Sequence, residues 1–383
     1  MRVIRWIGIF LRKADMLLLS LCIAASVFGI LMVSSASAHF ASSRFVLLQV
    51  VAVLLGIAIY VLLTLFDIDI LAEQTRILFL FNIFFIGTLF FWGVQGNTGN
   101  RSWLEFSWLP FNVQPAEICK ITFIIINAKL MSTYRSRISE PRVVLLLLAH
   151  LLATVLVILA ASDDMGVALI YVFVFLIMAY TAGVSKFWFL SGLGVIAVAA
   201  PVLWFVILRQ DQKNRILALF DPAIDPAGEG VLWQTNLSLR SIRNGGLTGM
   251  GLFHGALTQA GVNPQQHNDF IFSAVVEELG IIGAVILLLL LFAIITRCIY
   301  VGVKSGNYMR KTLCIGIAAM LLFQITVNVG MCLGLLPVVG LTLPFISYGG
   351  SSIVATFFAV GIVSGVHMRP SPDHENKYIR PQY

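Results

Sequence analysis

Acidic side chains are few in this chain of 383 residues, 11% of which are charged, so the carboxylates beside apolar runs stand out. In His267-Asn268-Asp269-Phe270-Ile271-Phe272, Asp269 falls where a polar stretch enters an apolar one. A low-dielectric margin raises a carboxyl pKa toward that of a general base, while the same position suits an Asp that only caps the next helix. Glu117 and Lys120 share one helical face at i, i+3 and can neutralise each other, and Pro115 suits the first turn of that helix. Such a pair either locks neighbouring helices or lines a polar cavity. Glu277 and Glu278 stand side by side in an apolar run, where each needs a cation or a polar cavity. Arg240 and Arg243 could grip a phosphate, or snorkel toward lipid headgroups.

Other chemistries lack their residues. His254 and His267 are thirteen positions apart in a loop, too weak a pattern to assign zinc, and no metal site is predicted. There is no Walker-type glycine loop and no G-x-S-x-G elbow, so neither ATP hydrolysis nor serine hydrolysis has support. Cys22, Cys119, Cys298, Cys314 and Cys332 all fall in apolar blocks without paired spacing and read as small buried side chains.

The elements that must position these groups are membrane helices. With 59% hydrophobic residues, the chain carries apolar blocks long enough to cross about 30 Å of hydrocarbon. The reading is an all-α integral membrane protein with ten spans at 16–37, 46–66, 77–95, 115–132, 142–161, 165–182, 186–208, 270–297, 311–335 and 350–368. Residues 1–368 form a single polytopic domain, and 369–383 a short cytoplasmic tail. The basic residues behind the net charge of +7 cluster between spans, at Lys129/Arg135/Arg137/Arg142, Arg297/Lys304/Arg310/Lys311 and Arg369/Lys377/Arg380. The positive-inside bias then puts both termini in the cytoplasm and makes nucleic-acid binding unnecessary. Arg2, Arg5, Arg12 and Lys13 before an apolar run ending in Ser-Ala-Ser-Ala resemble a signal peptide, but the run is long and further spans follow, so a retained first helix is expected.

Two stretches break the pattern. Residues 210–269 form a large extracytoplasmic loop between the seventh and eighth spans, in which Leu232, Leu237, Leu239 and Ile242 recur at near-helical spacing before Gly245-Gly246. They predict a short amphipathic helix with a glycine C-cap, lying at the outer interface. The segment from Leu336 to Ser352 packs two prolines and three glycines between spans and cannot be a continuous helix. Non-helical backbone near membrane depth persists only when buried in protein or lining a polar cavity, so this segment is expected to wall a site.

Taken together, these motifs resemble the SEDS family, of which FtsW, RodA and SpoVE are members, along nearly the whole chain. The resemblance is carried by Ser34-Ser35-Ala36-Ser37, Arg101-Ser102-Trp103, Gln114-Pro115-Ala116-Glu117-Ile118-Cys119-Lys120, Asp164-Met165-Gly166 and Gly245-Gly246-Leu247 through Gly251. Most specific are His267 to Phe272, Glu277-Glu278-Leu279-Gly280 and Pro337 to Ser352. Asp163, Val167, Leu237, Asn268 and Val276 depart from the family pattern.

The resemblance implies a peptidoglycan glycosyltransferase in the cytoplasmic membrane of a bacterium. It would polymerise lipid II, an undecaprenyl-pyrophosphate-linked disaccharide pentapeptide, on the outer face, with a class B penicillin-binding protein as transpeptidase partner. Asp269 becomes the expected base for the acceptor hydroxyl, with Glu117 and Lys120 holding the central cavity. Gln234, Ser238, His267, Glu277, Ser347 and Ser351 are expected near the substrate. Arg101, Lys120, Arg240 or Arg243 could stabilise the leaving pyrophosphate, with or without a divalent cation, Mg or Mn. A transporter that flips lipid-linked precursors would share the helices, buried charges and broken backbone, but no related halves are visible.

Overall fold

The computed structural model describes residues 12–40, 42–95 and 100–369. The basic Arg2 and Arg5 and, from the predicted tail at 369–383, residues 370–383 lie outside the described residues. Within them the chain is helical, and the only β pairing is two isolated bridges, Val94 with Trp103 and Leu104 with Val113.

Twelve helices carry the argument: α1 Met16–Ala36, α2 Arg44–Leu65, α3 Thr75–Gly87, α4 Pro115–Thr133, α5 Pro141–Ser162, α6 Met165–Thr181, α7 Lys186–Val202, α8 Trp233–Gly245, α9 Ala256–Ala260, α10 Ile271–Lys304, α11 Tyr308–Cys332 and α12 Gly350–Met368. Among the described residues, eight helices are long and apolar enough to cross a membrane. Of the ten predicted spans, the two outside that set are α4, which carries Glu117, Lys120 and Lys129, and α6, with 17 residues. Burial supplies the reason that α4 tolerates charge: from Pro115 to Ala128 nearly every side chain is covered by other helices, so its ion pair never meets lipid.

Local signals set the helix starts. Pro115 and Pro141 occupy first-turn positions, where the missing N–H is no loss. Asp15, Asp164 and Asn307 cap α1, α6 and α11 through their side chains. The eighth predicted span was cut at Arg297, but α10 continues to Lys304. Arg297 does not end the helix because its guanidinium meets the buried Asp15 carboxylate at 2.8 Å. Related contacts gather the basic clusters at this end of the bundle, where Arg310 pairs with Asp69 at 2.6 Å and Arg135 stacks 4.4 Å over Tyr308. The residues 210–269 and the broken segment lie at the other end, reached by α1 where Ser35 bonds Glu278.

The predicted amphipathic helix is present as α8, and Gly246 follows it at φ 53. The glycine stretch after it is half of a joint. At Gly280, with φ 70 and ψ −176, α10 breaks its own hydrogen-bond ladder. Met250 and Gly251 donate their N–H groups to the carbonyls of Glu277 and Glu278, both at 2.9 Å. In return Ile281 and Ile282 donate to the carbonyls of Gly246 and Leu247 at 3.0 and 3.2 Å. Four hydrogen bonds across the joint thereby pair backbone groups freed by the break, as a water-poor interior favours. A Cβ on Gly249 or Gly280 would overlap backbone of the other strand of the joint.

Candidate active site

A cavity of about 470 Å³ opens at the loop end of the bundle. Its walls come from the start of α2 (Arg44, Phe45), residues 102–114 (Ser102, Trp103, Phe111, Gln114) and the base of α4 (Glu117). The α5–α6 turn adds Asp164, the turn before α10 adds Gln265, Asn268 and Asp269, and the broken segment adds Gly340 to Thr342, Tyr348 to Gly350 and Ser352, but not Ser351. The expected role of the non-helical stretch as a wall is therefore met in its placement.

Asp269 does not cap α10. The cap residue is Phe270, with no side-chain cap bond, and Ser273 closes the first turn on the Phe270 carbonyl. The Asp269 carboxylate faces the cavity, and among the described residues no side chain or N–H donates to it within hydrogen-bond reach. Its pKa is pushed up to about 7, first by burial and then by the negative charge of Asp164 across the cavity. Asp164 is itself raised by burial, partly offset by hydrogen bonds from the Val167 N–H and from Ser102. Gln114 Nε2 also reaches Asp164, at 3.4 Å.

The turn that carries Asp269 is stitched to the broken segment. Ser347 Oγ donates to the Asn268 carbonyl at 2.7 Å and accepts from the Leu343 N–H at 2.8 Å, while the Tyr348 N–H donates to the His267 carbonyl at 2.9 Å. The His267 ring is buried edge-on against Phe45 at 4.9 Å and near Tyr348 at 5.7 Å. Burial, with a smaller effect from His39, pushes its pKa down to about 4, so it stands neutral behind the wall. Ser351 accepts from the Gln114 N–H at 3.1 Å, anchoring the start of α4.

The other predicted site residues divide. Glu117 lines the cavity and accepts from Lys120 Nζ at 2.8 Å, both side chains being buried. Glu277 does not reach the cavity: its carboxylate accepts from the N–H groups of Leu257 and Thr258, from the Thr258 hydroxyl and from Asn244, and so holds the loop helix α9. Ser238 is also away from it, buried with its hydroxyl donated to the Cys332 carbonyl at 2.7 Å. Gln234 sits on α8 outside the cavity walls, and Arg240, Arg243 and Arg101 are exposed and outside them too. Spacing puts Gln234, Ser238, Arg240 and Arg243 on one helix; it could not say that no residue of α8 lines the cavity.

Sequence reasoning missed Arg44, the one lysine or arginine lining the cavity among the described residues, and did not assign Asp164, Gln324 or Asn328. Signals existed. Arg44 is a cation at the end of a span away from the basic clusters, where a positive-inside bias does not call for one, and Asn328 is an amide in an apolar run. No trio of His, Cys, Asp or Glu among the described residues could hold a metal ion, and His254 is exposed.

The family model for FtsW/RodA/SpoVE, described as cell cycle protein, matches residues 15–371. This chain belongs to the FtsW/RodA/SpoVE family. The Escherichia coli K12 relative, "Peptidoglycan glycosyltransferase MrdB", is 34% identical over 271 residues, 70% of this chain and 71% of the relative. "Probable peptidoglycan glycosyltransferase FtsW" of Geobacter sulfurreducens is 33% identical over 368 residues, covering 94% and 96% of the two chains. Among solved structures, a chain from a peptidoglycan synthase complex that coordinates polymerisation and crosslinking matches at TM-score 0.79 and 29% identity, covering 92% of this chain and 97% of that one. The rod shape determining protein RodA of Thermus thermophilus matches at TM-score 0.68 and 26% identity, covering 94% and 98%. As an FtsW/RodA/SpoVE protein the chain thus keeps the family's fold over nearly its full length.

Proposed function

We propose that this protein is a peptidoglycan glycosyltransferase that polymerises lipid II on the outer face of the cytoplasmic membrane, with Asp269 as general base. One observation carries the assignment: an Asp at the cavity wall, free of any capping duty, with its pKa pushed up to about 7. A base works best with a pKa near the working pH, because it is then both available and strong enough to take a proton. An acceptor sugar hydroxyl gives its proton to the Asp269 carboxylate as its oxygen attacks the anomeric carbon of the donor. The bond from that carbon to the lipid pyrophosphate breaks, and the pyrophosphate leaves with the electron pair.

The developing negative charge needs a cation, and Arg44 is better placed for it than Arg101, Arg240 or Arg243, because it lines the cavity. Lys120 is engaged by Glu117 and contributes by holding the cavity floor. A divalent cation, Mg or Mn, would find cavity carboxylates at Asp164, Asp269 and Glu117 but no trio of ligating side chains among the described residues, and no step depends on it. The relatives' names favour transfer over flipping. The partner in this reading is a class B penicillin-binding protein, in line with the synthase complex that the chain resembles. Both termini face the cytoplasm, with residues 210–269 outside and membrane lipids around the bundle.

The test is direct. Purified with its transpeptidase and supplied with lipid II, wild type forms glycan polymer and Asp269→Ala forms none. Equal polymer from the two overturns the assignment.

A further inference from the structure

Asn328 stands on α11 in an apolar run and is fully buried. Its Nδ2 donates to two carbonyls at once, that of Asp269 at 2.8 Å and that of Leu341 at 2.7 Å. Both acceptors belong to backbone that is not helical. The Asp269 carbonyl has no helical partner because α10 closes its first turn one residue later. One turn along the same face of α11, Cys332 Sγ approaches the Asp269 carbonyl at 3.7 Å, and Ser238 secures the Cys332 carbonyl in turn.

A primary amide suits this place for a chemical reason. It offers two in-plane hydrogens on one nitrogen, whereas Asp offers only acceptors, Leu offers nothing, and Gln carries the group one methylene further. The orientation is also fixed by chemistry, since a flipped amide would set its oxygen against two carbonyl oxygens. Asn328 Oδ1 is left buried without a partner, which is destabilising by itself.

The two carbonyls belong to opposite sides of a narrow gap. Leu341 follows Gly340, which has φ 70, and a Cβ on Gly340 would lie 3.5 Å from Asp269 Oδ2. The Gly340 backbone therefore stands about one methyl group away from the carboxylate, and the shared amide ties it to the Asp269 turn.

We propose that Asn328 is a positioning residue: its amide clamps the Asp269 turn to the 340–342 backbone and fixes where the Asp269 carboxylate points into the cavity. The proposal rests on the reading of Asp269 as base. A displacement of about 1 Å in a reacting group can lower a rate by up to about 100-fold. Releasing the clamp also lets water reach the carboxylate, which lowers a pKa that burial had raised.

Asn328→Leu and Asn328→Ser, each purified with the transpeptidase partner, are compared with wild type for lipid II polymerisation and its pH profile. Asn328→Leu is expected to lower kcat by about 10–100-fold, with KM changed less than about 3-fold. The acid limb of its profile moves to lower pH. Asn328→Ser keeps one donor and recovers part of both effects, and its small side chain supplies folded protein if the leucine variant aggregates. Unchanged kcat, or a loss with the acid limb unmoved, overturns the clamp. Asp269→Asn separates the two readings: if it stays active, the base assignment fails; if it is dead while the Asn328 variants match wild type, only the clamp fails.

Discussion

The pH dependence of polymerisation follows from the site geometry and can be worked through. Asp269 carries a pKa of about 7, held there by burial first and the Asp164 charge second, while the Glu117 charge is met by Lys120. Only the deprotonated carboxylate accepts a proton, and its fraction rises from about 9% at pH 6 to about 91% at pH 8 for a group of that pKa. The turnover of lipid II should thus climb about 10-fold across those two pH units, with half its plateau near pH 7. An Asp at its ordinary value would be deprotonated throughout, and the rate would be flat. Asp164→Asn removes the second cause and leaves the first, so the midpoint should fall to lower pH without vanishing. The assay is kcat/KM for polymer formation by the protein and its transpeptidase, in one detergent and at constant ionic strength, from pH 5.5 to 8.5. A flat wild-type profile would refute the reasoning, as would a rise of the same midpoint in Asp164→Asn.

Further consequences concern packing and substrate. Lys120→Met leaves the Glu117 carboxylate buried without its cation, which should cost about 3–5 kcal/mol and show as a lower Tm in detergent. Adding Glu117→Gln should return most of that stability, and no recovery would mean the pair is not the cause. Gly280→Ala forces a side chain into a conformation reserved for glycine and against the Leu247 carbonyl, for a loss of about 2–3 kcal/mol seen by thermal unfolding. An unchanged Tm would show that the joint can relax. Arg44→Gln should raise KM for lipid II and lower kcat, with the Tm within about 1 °C of wild type because Arg44 is exposed at the cavity mouth; wild-type kinetics would remove it from the site.

Much of the fold was legible because lipid imposes a simple rule. A spanning segment must pair its own backbone groups and present apolar side chains, so length and hydropathy reveal it without knowledge of its neighbours. The structure departs from the local reading where a partner element changes the rule. Arg297 read as a helix end, yet Asp15 neutralises it inside a longer helix. Glu277 read as a site residue, yet its carboxylate is saturated by the N–H groups of α9 and the Thr258 hydroxyl.

The sequence by itself determined the solvent of this protein, the places where its helices run, the pairing of Glu117 with Lys120 and the position of Asp269 where a polar stretch enters an apolar one. These depend on residue type and on spacings of a few positions, which act through local geometry. Only the tertiary structure decided that Asp269 is turned to the cavity and not onto α10, that Arg44 and Asp164 join it, and that Arg240, Arg243 and Ser238 do not. The cavity is assembled from segments that lie hundreds of residues apart, such as Gln114 with Ser351. Which face of each helix turns inward is set by the packing of all of them together.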